Sequence, residues 1–311
     1  MNRGCLPSKN LIEAAELVYD ARNPRYPGLK PCEMELDFPA LIAQKDEVVH
    51  GYRKKKYESL VGGRVSIEKG HVQFIDPHTA EINGKRLIGE NVLIATGSRA
   101  VIPHIEGLGR VPYLTSDLLS ADESMELQEL PRSLLIVGGG YIALELGQMF
   151  SRFGADVTIL ARNEQLLAHG YEPEVGQCIE QVFAEEGIQV ITKATVRSVC
   201  QDGNEVVATV LVGGTQRQYR AEKLLITTGR HSNTDSIAID RAGVAVNERG
   251  EVEVDEYPIS WASTPASLRN PLADQTSCGS MATSFAPSFS SSSSRSRNCA
   301  SWPWQTGHVS P

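Results

Sequence analysis

The sequence predicts an α/β fold organised around dinucleotide binding, and three observations carry that prediction. The apolar run Leu134–Val137 leads directly into Gly138-Gly139-Gly140-Tyr141-Ile142-Ala143, a G-x-G-x-x-A. A helical apolar period follows through Leu146, Met149 and Phe150. A second apolar run, Asp156–Leu160, ends about 20 residues after the last of those glycines, as a mononucleotide-binding βαβ unit requires. Elsewhere, strand-length runs alternate with helix-length periodic stretches, and two of the runs end in Thr-Gly turns at Thr96-Gly97 and Thr228-Gly229.

Each small residue of the first motif has a physical task. Gly138 permits the tight turn out of the strand. Gly140 lets the backbone approach a pyrophosphate, and Ala143 lets the helix pack close to the strand. The helix start then offers unpaired N–H groups and the positive end of its dipole to the phosphates. The end of the second strand reads the nucleotide. An NAD site usually places Asp or Glu there for the ribose hydroxyls, whereas this chain has Ala161-Arg162. Without the carboxylate a 2′-phosphate is not repelled, and Arg162 can pair with it through a charge-assisted fork, which favours NADPH. The alternative for Arg162 is a solvated loop residue, and Glu164 would serve the ribose if the loop folds back.

The remaining elements follow in order. A helix is predicted from about Ser8 to Arg22, apolar at Leu11, Ile12, Ala15 and Val18. A second is predicted from Phe38 to Leu60, with Arg53-Lys54-Lys55-Lys56 as a solvated face or, alternatively, a contact to a cofactor phosphate. Strands are expected at His71–Ile75, Thr79–Ile82, Lys85–Ile88 and Asn91–Ile94, with Asn83-Gly84 as a hairpin turn. Beyond the glycine motif come a helix at about 173–186, a strand at 188–191, a hairpin turned at Asp202-Gly203, and the strand Lys223–Thr227.

Composition sets limits. The chain has 311 residues, room for two domains, and 41% hydrophobic with 22% charged residues is globular usage. A net charge of −8 argues against a nucleic-acid partner. No apolar run approaches the roughly 18 residues of a membrane span, and no signal peptide is visible. Six cysteines at 5, 32, 178, 200, 278 and 299 form neither a disulfide framework nor a zinc pattern, and the seven histidines have no ligand spacing, so no metal site is expected and a cytoplasmic location is. Residues 258–311 hold a single acid, Asp274, and a five-serine run at 290–294. Such a segment buries too little apolar surface to offset its ordering entropy and is expected to be disordered.

Four landmarks together resemble one family. They are Gly4-Cys5-Leu6-Pro7-Ser8-Lys9, Ala95-Thr96-Gly97-Ser98, Gly138–Glu145, and Thr228-Gly229-Arg230 with Asn233-Thr234. Their order and spacing are similar to the pyridine nucleotide–disulfide oxidoreductases over roughly residues 2–256. Within that family Tyr113–Ser116, Val157–Asn163 and Ala238–Val244 resemble the mercuric reductases most, with the dihydrolipoamide dehydrogenases and glutathione reductases next. The resemblance implies two Rossmann-like dinucleotide-binding domains. Residues 1–113 would be an incomplete FAD-binding domain, 114–245 an intact NADPH-binding domain, and 246–257 a return to the FAD domain. The tail, 258–311, would be out of frame.

The same resemblance implies FAD and NADPH as cofactors, with hydride passing through the flavin to a redox-active cysteine pair and on to Hg(II). Cys5 matches the flavin-side cysteine of that pair, at a helix start where the dipole favours thiolate. Lys9 matches the lysine beside the flavin, Glu145 its ion-pair partner across the two domains, and Tyr141 the residue covering the nicotinamide pocket. Gly229 and Ala95-Thr96-Gly97 match turns at the cofactors. The family forms homodimers through a C-terminal domain that this chain is expected to lack. It also has an additional strand with its own G-x-G-x-x-G ahead of the region matched by Met1. Met1 is expected to mark a valine codon taken as a start. The contrasting expectation is an inactive fragment that binds NADPH alone.

Overall fold

The computed structural model describes residues 4–61, 65–121 and 127–254, and the predicted disordered tail lies outside them. Two helices open the described chain, α1 (Cys5–Arg22) and α2 (Phe38–Val61). Helix α1 starts three residues earlier than its apolar period suggests. Ser8 donates the first turn-closing backbone bond, to Gly4 O at 3.3 Å, so Pro7 sits where its missing N–H leaves nothing unmade. A three-stranded meander follows, β1 (Val72–Asp76), β2 (Thr79–Ile82) and β3 (Lys85–Ile88). Asn83 and Gly84 both have positive φ, 52° and 78°, as a two-residue hairpin of matching twist demands.

The expected strand at 91–94 does not form. A strand needs a hydrogen-bonded partner, and no ladder includes this segment among the described residues, although Ile94 packs against the cluster of Phe74 and Ile237. Leu93 is 90% exposed and Val92 48%. Order resumes at β4 (Ser98–Ala100), and the chain then reaches the nucleotide-type unit: β5 (Ser133–Val137), α3 (Tyr141–Phe153), β6 (Asp156–Leu160), α4 (Pro173–Glu185) and β7 (Gln189–Ile191). Three long antiparallel strands come next, β8 (Ala194–Asp202), β9 (Glu205–Val212) and β10 (Thr215–Ala221). The last two strands are β11 (Lys223–Ile226) and β12 (Arg230–Ser232).

A parallel sheet in the order β11-β5-β6-β7 sits at the centre. Alternation along β5 explains its unbroken apolar sequence. Leu134 and Ile136 face α1, α2 and α3, together with Val157, Ile159 and Leu225. Leu135 and Val137 face the other way, with Leu160, Leu224 and Ile226, onto Val199, Val206, Ala208 and Val210 of the antiparallel layer. A strand buried on both faces has no polar side to show in its sequence. The result is three layers: helices, parallel sheet and antiparallel sheet. A smaller cluster joins Phe74 of β1 to Ile237, Ile239 and Ala242.

Candidate functional site

The turn after β5 has the stereochemistry its sequence calls for. Gly138 has φ 140°, and a Cβ there would lie 2.5 Å from the carbonyl oxygen of Thr227, so only glycine fits. Gly140 caps α3 with extended backbone and no side-chain cap, and a Cβ on it would meet nothing within 4 Å. The first amides of this 13-residue helix therefore carry no side-chain cap and are preceded by a residue without a methyl group. Ala143 is fully buried against the sheet. Gly147, one turn on, does as much for close packing, since a Cβ there would lie 3.1 Å from Ile159 Cδ1 and 3.2 Å from Ile136 Cδ1. Gly147 was legible only as an interruption on the helix's apolar face. These residues fit a dinucleotide pyrophosphate.

The segment after β6 is knitted to its neighbours by backbone bonds. Ala161 N donates to Ile191 O (2.8 Å), Ala194 N to Ala161 O (2.9 Å), Lys193 N to Asn163 O (2.8 Å) and Leu167 N to Gly139 O (2.9 Å). Arg162 is exposed on this loop. The Glu164 carboxylate pairs through Oε1 with Lys193 Nζ at 2.8 Å. The hydrogen bond from Lys193, reinforced by that ammonium's charge, holds the Glu164 carboxyl below its ordinary range.

A second group gathers where the starts of α1 and α3 meet. Cys5 is the first residue of α1 and is exposed. Lys9, one turn later, places Nζ 2.5 Å from Glu145 Oε1 across 136 positions of sequence. Tyr141 opens α3 one turn before Glu145 and is 61% exposed. The Lys9–Glu145 pair is open to water, with side chains 55% and 40% exposed. It therefore adds little stability, and what it fixes is the orientation of two helix starts.

The two Thr-Gly turns also meet, although the sequence places them more than a hundred residues apart. β4 pairs with β12 antiparallel, Ser98 opposite Ser232 and Ala100 opposite Arg230. Asn233 clasps the first turn, its N bonding Gly97 O (3.0 Å) and its Nδ2 Thr96 O (3.0 Å). Val101 N bonds Gly229 O of the second (3.0 Å). Arg230 reaches Ser98 O (2.6 Å), Ser98 Oγ (2.8 Å) and Ser116 Oγ (2.8 Å). Arg99 grips Asp235 through both carboxylate oxygens, at 3.0 and 2.6 Å. The hydrogen bond from Arg99 comes first in keeping the Asp235 carboxyl below the usual aspartate range. Ala95 precedes this clasp and is exposed.

Among the described residues no group of three or more His, Cys, Asp or Glu is placed to hold a metal ion, and no helix is long and apolar enough to cross a membrane. A glycine turn that leads from an interior strand of a parallel sheet into an uncapped helix is the arrangement found in dinucleotide-binding α/β proteins. The comparisons narrow the class. The model of the pyridine nucleotide-disulphide oxidoreductases matches residues 1–260, and the chain belongs to that family. It is similar to the mercuric reductase of Streptomyces lividans, 43% identical over 275 residues, covering 85% of this chain and 56% of the relative. The mercuric reductase of Bacillus cereus is 38% identical over 258 residues, covering 83% of this chain and 40% of the relative. Among solved structures, the HOCl-induced flavoprotein disulfide reductase RclA from Escherichia coli superposes with a TM-score of 0.70 at 31% identity, over 84% of this chain and 55% of that one. The chain thus spans about half the length of the relatives it matches.

Proposed function

We propose that the chain carries the NADPH-binding unit and part of the flavin-facing surface of a disulfide oxidoreductase of mercuric reductase type. The observation that carries this reading is the glycine turn on α3 with Ala161-Arg162 at the neighbouring strand end. Residues 114–245 form the NADPH domain, and 1–113 with 246–257 form the flavin-side domain. The α3 start, Gly138 and Gly140 would hold the pyrophosphate, and Arg162 the 2′-phosphate. Tyr141, at the mouth of that turn, would cover the nicotinamide end. Cys5, Lys9 and the two Thr-Gly turns would face the flavin. Bound there, NADPH and FAD would together supply hydride and electron-transfer chemistry for a disulfide or a thiol-bound metal ion.

Lys9 lies one turn after Cys5 on α1, and its ammonium pairs with Glu145 at the start of α3. Hg(II) as substrate is supported by the likeness to mercuric reductases in sequence.

A second reading, a nucleotide-binding piece without turnover, is favoured by the exposed apolar residues Ile88 and Leu93. One experiment separates the two. The chain is incubated with FAD, freed of unbound flavin, and assayed for NADPH oxidation with Hg(II) in excess thiol or with a small disulfide. Retained flavin and Hg(II)-dependent oxidation are expected. A colourless, inert protein that still binds NADPH would leave the second reading standing.

A further inference from the structure

We propose that Lys193 and Glu164 form a charge gate beside Arg162 that tunes the choice between NADPH and NADH. The inference rests on the reading that a nicotinamide dinucleotide lies on the Gly138–Gly140 turn.

Lys193 belongs to a different segment from the nucleotide-reading loop, the turn between β7 and β8. Its backbone is left-handed, φ 53°, which is uncommon for a residue with a side chain. The surrounding bonds hold it there: its N–H donates to Asn163 O at 2.8 Å, and Ala161 is bonded on both sides by Ile191 and Ala194. This geometry delivers an ammonium to the loop that carries Arg162, and it lands on Glu164 at 2.8 Å. Leu166 N is held in turn by Glu180 Oε1 at 3.2 Å, so the loop is fixed from both ends.

Glu164 is the one carboxylate in the stretch from Ala161 to Gly170. Left free, it would repel a 2′-phosphate or accept ribose hydroxyls, both of which favour NADH. Lys193 neutralises it and occupies its oxygen. Together the three side chains leave a net positive loop, suited to a phosphate. Removing Lys193 alone would leave Arg162 and Glu164 to cancel.

Titration calorimetry of NADPH and NADH against the full chain tests the gate, with Lys193→Asn, Glu164→Gln, the double variant, Lys193→Arg and Arg162→Ala. Asparagine tolerates the left-handed backbone, so Lys193→Asn removes charge without straining the turn. The expected result is a two- to fivefold fall, on the order of an exposed charge pair, in the NADPH-to-NADH affinity ratio for Lys193→Asn. The ratio should rise for Glu164→Gln and return near the parent's in the double variant. Lys193→Arg should behave as the parent, and all the differences should shrink as salt is raised. If Arg162→Ala abolishes the preference while Lys193→Asn and Glu164→Gln leave it unchanged, the gate is refuted and the site reading survives. A parent that binds neither nucleotide refutes both.

Discussion

Lys45 is fully buried, an unusual place for an ammonium. Its Nζ donates to Leu119 O at 3.1 Å and lies 2.5 Å from Asp46 Oδ1, within ion-pair distance though poorly aligned for a hydrogen bond. The lysine thereby anchors the Ser116–Leu119 turn from one side while Arg230 holds Ser116 from the other. Truncation would strand the Leu119 carbonyl and leave Asp46 without its counter-charge. Lys45→Ala should therefore lower unfolding free energy by about 3–5 kcal/mol, read from urea denaturation, with Lys45→Met costing less because it keeps the stem. A change below about 1 kcal/mol would show that water replaces the ammonium. Lys45 was detectable in the sequence, since Phe38, Ile42, Lys45 and Val49 share one helical stripe. A charge on such a stripe reads equally well as a break in the pattern, and only the packed partner decides. Gly138 poses no such ambiguity. Gly138→Ala should cost roughly 1–3 kcal/mol from backbone and overlap with Thr227, measured the same way, and an unperturbed variant would mean the turn is not as drawn.

At the scale of elements, helices and long strands were legible where burial imposes a period. Helix α2 was expected at Phe38–Leu60 and runs Phe38–Val61, and the hairpin at Asn83-Gly84 follows from its two positive-φ residues. A second glycine hairpin, Gly213-Gly214 between β9 and β10, has the same signature (φ 54° and 89°) and went unread, though its dipeptide carries the signal. The three-residue strands β4 and β12 were not legible, because short polar strands have no period. Their pairing depends on side chains such as Arg230 and Asn233, which bond across more than a hundred residues. Arg230→Ala should therefore speed amide exchange in 98–100 and 230–232 while leaving the central sheet protected. Uniform exchange across the molecule would assign Arg230 a global role instead. The Arg99–Asp235 clamp adds a pH dependence. A carboxyl held below its ordinary pKa contributes stability above that ordinary value and loses it as pH falls through the lowered one. Protection of the ribbon amides, relative to their intrinsic exchange rates, should therefore hold at neutral pH and fall only below the usual aspartate range, and in Asp235→Asn it should be low throughout.

At the largest scale, the described residues build a parallel sheet clothed by helices on one face and by an antiparallel layer on the other. The first layer was visible in sequence as amphipathic helices, and the glycine turn located the candidate site. The second layer was not foreseen as the cover of β5, since its strands alternate as any half-buried strand does and nothing local names the surface they cover. The segment at 91–94 shows the converse. Its strand propensity is plain, yet a strand is defined by its neighbour, and Leu93 stands exposed without one among the described residues. At this scale the account stands on the nucleotide unit. Its most direct test is equilibrium titration of NADPH and NADH with the full chain and with Arg162→Ala. The account predicts that NADPH binds more tightly by roughly 10- to 150-fold, the worth of a charge-assisted contact, and that Arg162→Ala removes most of that preference by weakening NADPH while sparing NADH. Equal affinities in the parent, or a ratio untouched by the substitution, would contradict it.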